Sequence, residues 1–126
     1  MSEHTGQRLD GYWQVVEYVT GGKPIPVIGS LLLADARWSV MYFVPQPDGS
    51  HWGSAEAGRY DYDDPHLTFH HELTFQGGGG REMVMSQAST VVERCTIALD
   101  AASLDISFPS GNIVRCRRNP RREPSF

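Results

Sequence analysis

The residues best suited to chemistry lie together in the stretch LTFHHELTF, residues 67–75. It places His70, His71 and Glu72 in the middle of a run that is otherwise largely apolar. Imidazole and carboxylate groups can exchange protons near neutral pH, and imidazole is also a common metal ligand. The stretch therefore raises three hypotheses: an acid–base pair, a metal site, or a polar patch on a cavity wall.

Strand alternation separates the two neighbouring histidines. Successive side chains of a strand point to opposite faces, so odd-numbered residues from Leu67 to Phe75 share one face, with His71 among them. His70 and Glu72 share the other face, so the two histidines cannot hold one metal ion together. With the apolar face inward, His71 lies in the cavity wall. The opposite register would place His70 and Glu72 inside, as a base and its partner.

His71 has a structural and a functional interpretation. The structural one, which the sequence favours, is a core histidine that is hydrogen-bonded to a tyrosine or to the backbone. The functional one is an imidazole that orients a ligand or moves a proton inside an apolar cavity. The candidate catalytic residues are His71, Tyr60, His70 and Glu72. The candidate ligand-binding residues are Trp38, Tyr42, Tyr60, Phe69 and His71.

Apolar residues alternate with polar ones along most of the chain, which is typical of strands with one buried face. Glycine and proline clusters separate the strands, and the segment 45–54 reads as a long loop. The pattern predicts an all-β fold, a single antiparallel up-and-down β-barrel of about 8–10 strands. The predicted strands are 12–19, two strands within 31–44 that turn at Asp35 and Ala36, 55–62, 66–75, 81–87, 91–99, 103–108 and 112–118.

Length and composition describe one ordinary globular domain. The 126 residues predict a single domain over 1–126, with a core at about 9–118 and a frayed tail at 119–126. The formal net charge of −4 argues against nucleic acid as a partner. No signal peptide or long apolar run is evident, so we expect a cytoplasmic protein without a membrane partner. Cys95 and Cys116 would then stay reduced.

The order of several short motifs resembles the bacterial lipocalin-like domain family. Gly11-Tyr12-Trp13 opens the first strand, Gly29 precedes an apolar strand, and Ala57-Gly58-Arg59-Tyr60 precedes the strand with both histidines. The resemblance implies a calycin-type barrel with a cavity for a small, largely apolar molecule. It also implies that an arginine of the last strand lies across Trp13, with Arg117 preferred and Arg115 second. Glu17 alternates onto the face of Trp13, where a buried carboxylate would need one of these arginines.

Two functions from different classes follow. The first is the binding of a small hydrophobic or amphipathic molecule in the barrel. The second is a cofactor-independent cyclase, isomerase or dehydratase that acts on a polyketide-like or terpenoid-like substrate. Haem held by His71 or His70 is a third, lesser possibility. No cofactor is expected otherwise, and a homodimer is possible.

Overall fold

The computed structural model describes residues 8–87 and 90–118, and within these ranges it contains nine β-strands and no helix. The strands are β1 (Gly11–Thr20), β2 (Lys23–Ala34), β3 (Arg37–Pro45), β4 (His51–Asp63), β5 (His66–Gly78), β6 (Arg81–Gln87), β7 (Val92–Leu99), β8 (Ser103–Ser107) and β9 (Ile113–Arg118). The predicted tail at 119–126 lies outside the described residues. Among the described residues, no helix is long and apolar enough to cross a membrane.

The strands form one closed antiparallel barrel with up-and-down connectivity, which confirms the predicted fold class. β5 is long enough to pair with β4 along one edge and with two strands along the other. Its first half pairs with β7 and its second half with β6. β6 and β7 therefore share one strand position, so the nine strands close a barrel of eight positions. Pairing of β9 with β1 completes the closure.

Several strands begin or end beyond their predicted limits. β2 starts at Lys23 rather than at residue 31, and β4 starts at His51, inside the segment predicted as a loop. Glycine at position 53 is the reason β4 can extend there, because a Cβ atom would lie 2.6 Å from the carbonyl oxygen of Tyr42. The composition of 45–54 indicated flexibility, whereas Gly53 serves the close approach of two backbones.

The interior of the barrel towards one end, here called the packed end, is an apolar core. Its fully buried side chains include Trp13, Leu33, Leu67 and Leu104. Cys95 and Cys116 are also buried in this core, and both are free thiols. Burial of this kind is the main favourable term in folding, and it leaves the other end of the barrel to hold a cavity.

A tryptophan and an arginine close the packed end. The guanidinium carbon of Arg118 lies 4.0 Å from the ring centre of Trp13, and its nitrogens donate to the carbonyl oxygens of Asp10, at 3.1 Å, and Arg8. Gly11, at φ 135°, leaves room for the guanidinium, since a Cβ atom there would lie 2.6 Å from Arg118 Nη1. The packing combines a cation–π contact with charge-assisted hydrogen bonds.

The preference for Arg117 or Arg115 as the partner of Trp13 was wrong. Trp13 pairs with Arg118 in the β1–β9 register, and Arg118 alternates with exposed Arg117. Arg115 also points outward, where it donates to Glu17 at 2.8 Å. The partner is therefore the next residue along, on the opposite face of the last strand.

A bulge in β1 reverses its alternation. The register with β9 shifts between Val15 and Glu17, so that Val16 is the extra residue. Glu17 consequently points outward to Arg115, which corrects its predicted position on the Trp13 face. Tyr18 points into the barrel instead.

A second bulge reverses β5 immediately after the two histidines. Gly58 pairs with His71 and Ala57 with Leu73, so Glu72 is the extra residue. Before the bulge, Phe69 and His71 face inward as predicted. After it, Leu73 and Phe75 face outward, contrary to the prediction, while Thr74 and Gln76 line the interior. The bulge thus divides one strand into two halves of opposite parity.

Replacing Arg118 by alanine should lower the free energy of unfolding by about 2–3 kcal/mol, because the change removes the cation–π contact and two charge-assisted hydrogen bonds. Arg117→Ala is the matched control, since Arg117 is exposed on the same strand. It should change stability by less than about 0.5 kcal/mol. Urea unfolding of both variants measures the difference. Equal losses would contradict the role assigned to Arg118.

Candidate functional site

The open half of the barrel holds a cavity of about 420 Å³. This volume falls within the range that small-molecule sites occupy. The wall is mainly aliphatic and aromatic. Its aromatic side chains are Tyr18, Trp38, Tyr42, Trp52, Phe69 and Phe108. Its polar side chains are Glu56, His71, Thr74, Gln76, Glu93, Ser110 and Asn112.

Three of the polar side chains form a charged cluster on the apolar wall. His71 lies between two carboxylates, with its Nδ1 3.1 Å from Glu56 Oε1 and its Nε2 2.7 Å from Glu93 Oε1. Glu56 also accepts a hydrogen bond of 3.0 Å from the Ser54 hydroxyl. The cluster joins β4, β5 and β7, and the His71 side chain is only 10% exposed. Both ring nitrogens are therefore committed to carboxylate partners.

An indole holds the imidazole in place from the side. Trp38 makes edge contacts with His71 and with Phe69, each at a centroid distance of 4.9 Å. Its Nε1 lies 3.4 Å from the carbonyl oxygen of His70. Gly58 permits this packing, because a Cβ atom there would collide with that carbonyl and lie 3.0 Å from the indole nitrogen. The rotamer of His71 is thus determined by its neighbours as well as by its ion pairs.

The two carboxylates raise the pKa of His71 to about 9, chiefly through the hydrogen bonds to Glu56 and Glu93, which outweigh the opposing effect of burial. Burial by itself would raise the pKa of Glu56, but its hydrogen bonds with His71 and Ser54 bring the pKa below the ordinary value. At neutral pH, His71 is therefore an imidazolium between two carboxylates, and the cluster carries one net negative charge.

Two tyrosines in the wall remain protonated phenols. Burial, followed by the charge of Glu56, raises the pKa of Tyr42 to about 12. Burial also raises the pKa of Tyr18, whose hydroxyl oxygen accepts a hydrogen bond of 2.7 Å from Asn112 Nδ2. Each phenol can therefore present a neutral polar group to a ligand.

The structure brings some of the predicted site residues together and separates others. Trp38, Tyr42, Phe69 and His71 all line the cavity. Tyr60 does not line it: the side chain is buried towards the closed end, and its hydroxyl donates to Asp10 Oδ1.

His70 and Glu72 lie on the outer surface. His70 Nε2 is 2.8 Å from Asp61 Oδ2, and Glu72 binds Arg37 at 3.0 Å and Arg59 at 3.4 Å. The inverted register, with both residues inside, is therefore wrong. The four candidate catalytic residues do not converge, because His71 alone among them faces the cavity.

Glu56 and Glu93 were not identified from the sequence. Each interrupts an inward-facing row: Glu56 precedes Gly58 and Tyr60, and Glu93 precedes Cys95 and Ile97. A charged residue at a position that alternation assigns to the interior is the same signal that singled out His71. Applied to every strand, that criterion would have found both carboxylates.

The geometry argues against a metal or haem site at the histidines. No group of three or more His, Cys, Asp or Glu side chains within 8–87 and 90–118 has an arrangement that could hold a metal ion. An iron ligand needs a free imidazole nitrogen, whereas both nitrogens of His71 bind carboxylates. His70 lies outside the barrel.

No family model, curated protein or solved structure matches this chain. The closed eight-position barrel is compatible with a calycin-type fold.

The charged cluster should make stability depend on pH in a defined window. Because the pKa of His71 is raised, protonated His71 makes its full contribution to the free energy of unfolding below about pH 6.5, the ordinary histidine value. That contribution is lost as the pH rises through about 9. Between these limits the loss should be on the order of 3 kcal/mol, and it should be absent in His71→Gln. Urea unfolding at a series of pH values measures it.

Two other groups must be separated from this effect. Burial raises the pKa of Cys95 and Cys116 to about 12. The unfolded chain therefore loses these protons first, and the free energy of unfolding falls for this reason too as the pH rises above about 9. Because both thiols are present in wild type and in His71→Gln, the difference between these proteins isolates the imidazole. Parallel pH profiles for the two proteins would contradict the assignment.

Proposed function

We propose that this barrel binds a small amphipathic molecule, with the apolar body against the aromatic wall and the polar end at the Glu56–His71–Glu93 cluster. One observation carries the proposal: a cavity of ligand size has a mainly apolar wall and, among the described residues that line it, one charged cluster. Apolar burial would supply affinity, and the cluster would supply orientation.

The charges of the cavity favour a ligand that donates hydrogen bonds. No lysine or arginine is among the residues that line the described cavity, and the cluster has a net charge of −1. Glu93 contacts His71 through Oε1, so its second oxygen can accept a hydrogen bond from a bound hydroxyl or ammonium group. A ligand carboxylate would instead meet the net negative charge of the cluster in a poorly solvated site.

A second candidate function rests on the same hydrogen-bonded cluster. A carboxylate that is hydrogen-bonded to an imidazolium can accept a proton from a bound substrate and return it to another atom of that substrate. Glu93 would carry that proton, and His71 would orient the carboxylate and stabilise its charge. The reaction would be a cofactor-independent isomerisation, cyclisation or dehydration of a polyketide-like or terpenoid-like substrate that the wall folds into a reactive shape.

We also propose that the protein is lipocalin-like and that it is cytoplasmic. Gly11, Trp13 and Arg118 reproduce the tryptophan–arginine closure that the lipocalin-like resemblance implies. Two free, buried thiols accord with a reducing compartment, so we place the protein in the cytoplasm.

Native mass spectrometry of the protein purified from its own host should detect a bound small molecule. His71→Ala should lose it, because the change removes the ring that holds Glu56 and Glu93 in position at the polar end of the ligand. His70→Ala is the matched control, since His70 is the adjacent residue on the outer surface, and it should retain the molecule. If wild type isomerises or dehydrates a compound from an added extract and His71→Ala does not, the result would instead favour the enzyme. Wild-type protein without a bound or converted compound would contradict both functions.

A matched pair of probes tests the charge preference. Dodecylamine should bind more tightly than dodecanoate by at least roughly tenfold, because the cluster attracts the ammonium and repels the carboxylate. Quenching of tryptophan fluorescence follows both titrations. Glu93→Gln should bring the two affinities closer together, while Glu72→Gln, which changes an outer carboxylate, should not. Tighter binding of dodecanoate by wild type would contradict the predicted orientation.

A further inference from the structure

Among the residues that the structure describes, the outside of the barrel has a broad face without a charged side chain. It spans β2 to β6 in three rows of paired residues and is here called the outer apolar face. The rows are Leu32–Ser39–Ala57–Leu73–Gln87, Ser30–Met41–Ala55–Phe75–Met85 and Ile28–Phe43–Gly53–Gly77, the last continuing beside Gly77 to Met83. The bulge at Glu72 creates part of this face, because it turns Leu73 and Phe75 out of the barrel.

The amount of exposed apolar surface on this face is large. Eight large apolar residues keep between 37% and 74% of their surface exposed, namely Ile28, Leu32, Met41, Phe43, Leu73, Phe75, Met83 and Met85. At roughly 200 Å² for a residue of this size, they present roughly 850 Å². The largest apolar patches of monomers measure about 300–600 Å², while a stable interface buries about 800 Å² on each partner. The face therefore matches one side of a stable interface.

The face also has a trough beside a ridge. Gly53, Ala55 and Ala57 form a column of small residues on β4, and a depression of about 620 Å³ lies over this part of the sheet. Leu73 and Phe75 form a ridge on the neighbouring strand β5, directly opposite Ala57 and Ala55. The two features are one strand spacing apart, about 4.8 Å.

We propose that the outer apolar face binds a second copy of this chain in a face-to-face twofold dimer. A twofold axis parallel to the strands, between β4 and β5, seats the ridge of each copy in the trough of the other. The same operation sets Met85 of one copy against Met41 of the second. A single axis therefore satisfies both contacts in both directions, as an isologous interface requires.

The charge distribution supports a second copy as the occupant. Each chain has a formal net charge of −4, so two copies repel one another unless their contact surface is free of like charge. The three rows meet that condition. Charged side chains lie at the rim, for example where Glu72 bridges Arg37 and Arg59. A polar rim around an uncharged centre is the usual arrangement of an interface.

Sedimentation velocity between roughly 1 and 100 µM is the first test, and it should show a species of about 28 kDa, twice the 14.0 kDa chain. Met85→Glu should weaken the dimer by more than roughly tenfold, because it buries a charge at the contact with Met41. Ala55→Phe should do the same without adding charge, by filling the trough. Val92→Glu is the matched control: Val92 is 52% exposed on β7, outside the rows, and the dimer should persist.

A charge exchange identifies the occupant directly. Met41→Lys should also give a monomer, and mixing it with Met85→Glu should restore a heterodimer, because the two positions meet only between copies. Within one chain they lie three strands apart, at roughly 14 Å. Circular dichroism confirms that each variant is folded. A wild-type monomer at 100 µM overturns the proposal, as does a dimer that tolerates both Met85→Glu and Ala55→Phe. A monomer that instead floats with phosphatidylcholine vesicles would assign the face to lipid, which also overturns it.

Discussion

Closure of the barrel is the constraint on which the rest of the structure depends. β4 and β5 pair along nearly their whole lengths, and the pairing of β9 with β1 joins the two ends of the sheet. In a closed sheet, neighbouring strands satisfy each other's backbone hydrogen bonds. Each side chain then points either into the barrel or to the outside. The interior is therefore made of the side chains that alternation and the bulges place there. The packed end is filled by apolar side chains, whereas the cavity wall combines apolar side chains with the Glu56–His71–Glu93 cluster.

The charged cluster exists because closure brings three strands to one point of the wall. An isolated carboxylate in this cavity would be costly, and so would an isolated imidazolium. Together they form a chain of charge-assisted hydrogen bonds, and Trp38 and Gly58 restrict the position of its central ring. The same cluster gives the cavity its polarity and makes the stability of the barrel depend on pH.

Sequence alternation predicted the barrel, the inward position of His71 and the outward positions of His70 and Glu72. It failed wherever a bulge intervened, as at Glu17 after Val16 and at Leu73 and Phe75 after Glu72. A bulge is defined by the pairing of two strands, so the sequence of one strand does not reveal it. The choice of Arg117, with Arg115 second, failed for a related reason, because it required the register between the first strand and the last. Glu56 and Glu93 were accessible in principle, since both interrupt rows of inward residues.

The bulge at Glu72 makes the length of β5 as informative as its composition. Removal of that one residue would restore an unbroken alternation from His71 onwards, with Leu73 and Phe75 still outside and Thr74 and Gln76 still inside. If the strand kept Glu72 but lost the bulge, alternation would instead turn Leu73 and Phe75 into the barrel and Thr74 and Gln76 out of it. The cavity wall would then become more apolar and the exterior more polar, although the composition of the strand would be unchanged. Homologues of this barrel are therefore best compared first by strand length.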